Sequence, residues 1–292
     1  MKSKILIILL FSSLLSAKAQ LAWEMEEINI DSLQQVLPGL KGTEKIDALN
    51  KLSLALCRDD PDSSITIAQH TIALSEQYDY QKGQGDGYFN MGMAYSFMDS
   101  LKASTINYLN ALRIYEKMEP SSRELAETLM QLSLLNWIAG RYSISRGYCR
   151  KAKNIYKSVS NYKGEAWAGY TLSHLYRYGG TRQDDSAMYF LDRTLEILDQ
   201  YPDQRILFMV YQNYGNCYNS KYWNEKPETL NFLYKSLDWY FKAYEIMKIR
   251  YDSSESRSAG MSSILGNIGA TYIDTDLDEN ILKGYDYLIQ AK

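Results

Sequence analysis

Tyr88-Phe89-Asn90-Met91-Gly92-Met93-Ala94-Tyr95, followed by Tyr108, Ala111 and Leu112, decides the fold of this chain. Bulky residues recur three and four positions apart, which is the spacing of one helix face. Gly92 sits beside the bulky Met91, where a small residue lets a second helix approach closely. Tyr108, Ala111 and Leu112 then carry i, i+3, i+4 spacing of their own. The stretch reads as two helices folded back on each other.

The same arrangement recurs along the chain. Clear copies are Asn213-Tyr214-Gly215-Asn216-Cys217-Tyr218 and Asn267-Ile268-Gly269-Ala270-Thr271-Tyr272. Weaker ones surround Leu52-Ser53, Leu132-Ser133 and Leu172-Ser173. The anchors Leu52, Met91, Leu132, Leu172, Tyr214 and Ile268 are 39, 41, 40, 42 and 54 residues apart. A near-constant period in this range marks stacked helical units. Second helices carry matching faces in Ala187, Leu191 and Leu195 and in Tyr240, Ala243 and Tyr244. Breakers such as Asp60-Pro61-Asp62 and Tyr201-Pro202-Asp203 separate them. Few segments show the alternation of strands. The expected fold is all-α, a right-handed α-solenoid of about six helix hairpins.

The pattern resembles the tetratricopeptide repeat. Tyr88, Met91, Gly92, Tyr95, Tyr108, Ala111 and Leu112 match its hallmark positions, and Tyr211, Tyr214, Gly215, Tyr218, Tyr240 and Ala243 match again. The period near 40 exceeds the usual 34 of that repeat. It is similar to exported bacterial varieties, which also serve as N-terminal sensory regions of regulators. The resemblance implies units near residues 43–81, 82–119, 121–161, 163–200, 203–250 and 256–292, within one repeat domain spanning 43–292. Asn219 to Phe232 reads as an insert between the helices of the fifth unit. The sixth stops without a polar capping helix, which reads either as a truncated form or as a face covered by a partner or, through self-association, by a second copy.

Lys2 and Lys4 precede an apolar run from Ile5 to Leu15, and Ala17-Lys18-Ala19 follows. This is the layout of a secretory signal peptide over residues 1–19. The run is shorter than the ~20 residues of a membrane span. Residues 20–42 form a leader with a short helix near Ser32–Val36. The mature segment holds no comparable apolar stretch, so no transmembrane span is expected there. The chain is expected to be exported, to the periplasm or beyond.

The 292 residues include 32 basic and 35 acidic side chains, a formal net charge of −3. Removing Lys2, Lys4 and Lys18 makes the body more acidic, which argues against nucleic acid as partner. With only two histidines and three cysteines, there is little material for zinc sites or His-based catalysis. Zinc-protease, serine-hydrolase and phosphate-loop motifs are absent. No cofactor and no metal are expected, and the chain reads as a non-enzyme, with an enzyme kept as the remote alternative. Cys57, Cys149 and Cys217 are spaced for different repeats and read as small core residues. Gly83-Gln84-Gly85-Asp86-Gly87 has a dinucleotide-loop look, but no strand leads into it, so it reads as a flexible inter-repeat turn. Asp274, Asp276 and Asp278 alternate like a calcium loop, but Glu279 and Tyr285 stand where Gly and Glu are needed. An acidic turn is the expectation there.

In a solenoid the first helices line the concave face. Registering the copies places Phe89, Met93, Leu134, Trp137, Trp167, Tyr170, His174, Arg177, Tyr178, Gln212, Asn213 and Asn216 along it. That sequence runs from apolar through aromatic to amide-rich, a profile suited to an extended peptide or an amphipathic helix. Members of the family that clamp a C-terminal carboxylate need groove lysines that this register lacks. The leading expectation is an exported scaffold that binds a protein or peptide. The alternative is the periplasmic sensor part of a signalling or transcriptional regulator.

Overall fold

A computed structural model describes residues 28–118, 121–180, 182–225, 229–250 and 259–291. The signal-peptide reading lies outside these residues. Among them, thirteen α-helices and one 3-10 turn form, and no strand. The chain divides after Ala139 into two compact units. The division falls inside the third predicted repeat.

The first unit holds α1 (Ile30–Val36), α2 (Gly42–Leu56), α3 (Pro61–Gln77), α4 (Gln81–Phe97), α5 (Leu101–Met118) and α6 (Arg123–Ile138). Consecutive helices from α2 to α6 pack together, and α2 also touches α4. The second holds α7 (Tyr142–Ser158), α8 (Tyr162–Tyr178), α9 (Asp184–Gln200), α10 (Gln204–Glu225), α11 (Asn231–Arg250), α12 (Ala259–Asp274) and α13 (Asp278–Gln290). Here too neighbours pack in order, and α8 also touches α10. First helix against first helix, with second helices behind, is the stacking of an α-solenoid, and the all-α expectation holds.

Local chemistry sets the helix ends. Asp60 Oδ1 accepts from the Ser63 N–H at 3.1 Å, with Pro61 opening α3. Ser122 Oγ and Asn161 Oδ1 cap α6 and α8 in the same way. Besides Asp276, three turns between helices rest on non-glycine residues in the left-handed region: Asp79, Asp99 and Ser160, with φ of 50°, 56° and 54°. At each, the next N–H closes back on the preceding helix, as Tyr80 does on the Ser75 carbonyl at 2.9 Å. The following helix begins at once, which keeps the hairpins tight.

The small residues permit the approach expected of them. A Cβ on Gly92 would lie 2.8 Å from Tyr108 Cδ1, and one on Gly215 would lie 2.4 Å from Tyr240 Cδ1. Leu52, Leu132, Leu172, Tyr214 and Ile268 are buried as anchors, whereas Met91 is only half-buried. In that copy Met93 and Ala94 fill the core instead, beside Cys57. The three cysteines are buried thiols outside any disulfide.

Two sequence expectations change, and the acidic turn between α12 and α13 stands. The run Gly83 to Gly87 is helix, not a turn, because it lies inside α4. Its glycines face close neighbours: a Cβ would come within 2.5 Å of Ile46 at Gly83 and 2.7 Å of Tyr115 at Gly85. Packing there outweighs glycine's poor helix propensity, roughly 1 kcal/mol per residue. The apparent insert from Asn219 is helical as far as Glu225, an extension of α10. Asp274 ends α12 and turns to α10, accepting from Asn219 and from Trp223 Nε1.

Candidate functional site

In the first unit, α2, α4 and α6 border a cavity of about 280 Å³. Helix α2 contributes Asp47, Asn50, Lys51 and Leu54, and α4 contributes Lys82, Asp86, Phe89 and Asn90. Glu124 and Glu127 come from α6, and Tyr115 of α5 reaches in from behind. The spacing within α4 is i, i+4, i+7, i+8, a single helix stripe.

The floor is built from amides. Asn50 Nδ2 donates to the Gly83 carbonyl at 2.9 Å, and Thr71 donates to Asn50 Oδ1 at 2.9 Å. Asn90 Nδ2 donates to the Asn50 carbonyl at 2.8 Å. These bonds tie α2, α3 and α4 together and fix the stripe above them. Asp86 stands between Gly85 and Gly87 and accepts from Tyr115 Oη at 2.6 Å and Lys82 Nζ at 2.7 Å. Burial pushes its carboxyl above the ordinary range against the pull of Lys82. Lys82 loses hydration, yet Asp86 and Glu124, 3.7 Å away, hold its ammonium charge more firmly than usual. Tyr80 donates to Asp47 at 2.9 Å. Four carboxylates and two lysines thus surround one half-buried ring, Phe89, which packs edge-on against Tyr108 at 5.4 Å. The cavity is polar, biased to negative charge, and has one apolar wall.

The second unit carries an aromatic ridge on α8. Trp167 and Tyr170 lie 5.4 Å apart, Tyr170 and His174 6.4 Å, and His174 and Tyr178 4.6 Å. Beneath it runs a buried polar seam. The Arg177 guanidinium lies over the Tyr178 ring at 4.5 Å and donates to the Asn216 carbonyl at 2.8 Å. Its Nε is 3.6 Å from Asp184 Oδ1, with both side chains about 7% exposed. Ser220 donates to the other Asp184 oxygen at 2.6 Å.

These placements revise the predicted groove. Phe89 lines the cavity. Met93 is 2% exposed and belongs to the core, so it offers a ligand no surface. Trp167, Arg177 and Asn213 are likewise buried. Asn213 donates to Ser173 at 2.8 Å across repeats, and Arg177 spends its charge inside the protein. Gln212 bonds Ser263 of α12 at 2.9 Å, and Asn216 receives Tyr240 Oη at 2.7 Å, so the amide-rich end stitches α10 to its neighbours. Tyr170, His174 and Tyr178 remain half-buried on the ridge, and Trp137 is half-buried near the end of α6 in the first unit. The charged lining of the cavity was not singled out from sequence. Asp86, four residues before Asn90 on the face of Phe89, was the available signal.

Burial, and then the charge of Arg177, hold the His174 imidazole down to about 3. An unfolded chain binds that proton near pH 6.5. The unfolded state therefore gains protons first, and stability falls as pH drops from about 6.5 toward 3. We expect His174→Gln to flatten this limb in urea melts at about pH 7 and about pH 5.5. An unchanged pH slope would show that His174 titrates freely.

No protein-family model matches the sequence, and no curated protein matches it. Solved structures do match. The apo form of the quorum sensor NprR from B. thuringiensis gives a TM-score of 0.65 at 12% identity, covering 94% of this chain and 74% of that one. BtubC from P. vanneervenii gives 0.62 at 15%, covering 80% and 91%. A Rap protein complexed with competence and sporulation factor gives 0.57 at 16%, covering 90% and 68%. Hairpin stacking, glycine–tyrosine contacts and these neighbours agree that the chain has the tetratricopeptide-repeat fold.

Proposed function

We propose that this chain is an exported, non-catalytic scaffold that binds a peptide or protein segment on the first-helix face of its first unit. The carrying observation is the cavity bordered by α2, α4 and α6. It offers what an extended ligand needs: an apolar wall, fixed carboxylates and a floor that hydrogen bonds hold rigid. The lining favours a segment with an ammonium or guanidinium group, received by Asp86, Glu124 and Asp47, with an apolar neighbour against Phe89. Two neighbours of the same fold support the reading, since both are Rap proteins in complex with a peptide or factor. A second reading, the sensor part of a signalling regulator, draws on NprR, a quorum sensor.

Selection of a random phage-displayed peptide library against the purified chain tests the site. Enriched peptides should carry Lys or Arg. They should lose about tenfold in affinity with Phe89→Ala and with Asp86→Asn, the size expected for one anchoring contact of 1–2 kcal/mol. Helical circular dichroism should be unchanged. Peptides without basic residues that bind both variants as tightly as the parent would place the site elsewhere.

A further inference from the structure

Helix α7 concentrates positive charge. From Arg141 to Lys163 there are seven Lys or Arg residues, and all 35 acidic residues of the chain lie outside that stretch. In a chain of net charge −3 this is strong segregation. The buried face of α7 is Ser145, Cys149, Ala152 and Tyr156. On the flank toward α8, Arg146 donates to the Gly179 carbonyl at 3.0 Å and Lys153 pairs with Glu165 at 3.1 Å.

The outward face is different. Arg150, Lys151 and Lys157 are exposed there, and Arg141 is exposed just before the helix. Among the described residues no carboxylate pairs with Arg141, Lys151 or Lys157, while Arg150 engages the hydroxyl and the ring of Tyr176. Beside these cations, Ile144 is 50% exposed, and Val159, just past the helix end, is 37% exposed. A seventeen-residue helix spans roughly 25 Å; Ile144 and Lys151, seven residues apart, share one edge of its outward face, and Arg150 and Lys157, also seven apart, line the other.

We propose that the outward face of α7 docks on an anionic lipid surface. Clustered Lys and Arg are drawn to acidic headgroups, and adjacent aliphatic side chains enter the headgroup–acyl boundary. A nucleic-acid backbone would use the cations but has nothing to offer Ile144 and Val159. An acidic protein segment would need a recess, and this strip is a single convex helix.

Sedimentation with vesicles of phosphatidylcholine, with and without phosphatidylglycerol, tests the assignment. The chain should pellet only with phosphatidylglycerol and be released by high salt. Lys151→Ser/Lys157→Ser should weaken partitioning about thirtyfold, the worth of two basic residues at such a surface. Ile144→Ser/Val159→Ser should also weaken it, while leaving any binding to duplex DNA unchanged. Hydrogen exchange of the unaltered chain gives a second readout, with vesicles slowing exchange in 142–158. Absence of phosphatidylglycerol-dependent pelleting would overturn the proposal. So would vesicle binding indifferent to the Ile144/Val159 change, or protection confined to other helices.

Discussion

Gly215→Ala should destabilise the second unit by about 1–3 kcal/mol, read from the midpoint of urea unfolding. The sign is the informative part. In a solvent-facing helix position, Ala is better than Gly by about 1 kcal/mol. At Gly215 the new methyl would lie 2.4 Å from Tyr240 Cδ1 and Cε1. The ring cannot yield cheaply. Tyr240 is buried in a cluster with Leu237, Ala243, Ile264 and Ile268, and its hydroxyl donates to Asn216. Helices α10 and α11 must then separate, which loosens every contact along their length. Gly147 in α7 is the control, because a Cβ there meets nothing within 4 Å. Gly147→Ala should stabilise by about 0.5–1 kcal/mol. Stabilisation at both positions would contradict close packing as the reason for glycine at the repeat anchor.

Arg177→Met should cost about 3–5 kcal/mol, the usual penalty for leaving a buried charge without its partner. Asp184 would then keep only the Ser220 hydroxyl, and the Asn216 carbonyl would lose its side-chain donor. The pair joins the end of α8, the start of α9 and the middle of α10, so its loss reaches three helices. Asp184→Leu added to Arg177→Met should recover part of the loss, since both charges are then gone. A double-mutant cycle on urea midpoints measures this coupling. Additive losses would mean that Arg177 and Asp184 act independently.

The architecture was legible because it depends on spacing. Gly92 with Tyr108 and Gly215 with Tyr240 announce close-packed hairpins through size alone, and size is written in the sequence. The groove was less legible, because register alone cannot say how a polar side chain is used. Asn213 and Asn216 look like ligand-binding amides, yet Ser173, Tyr240 and Arg177 engage them. Register puts Met93 on the groove face, whereas the core of that copy is built on Met93 and Ala94 rather than Met91. The glycine run in α4 reads as a turn from propensity. Only Ile46, Tyr115 and Ile72, brought close by the fold, show why it is helical and why Asp86 stands at the cavity.

The most direct test of peptide binding is hydrogen exchange of the whole chain with and without a selected basic peptide. Exchange should slow in Asp47–Leu54, Lys82–Asn90 and Glu124–Glu127, the segments that border the cavity. Protection restricted to α3 and α5, with those three segments unchanged, would contradict binding on the first-helix face.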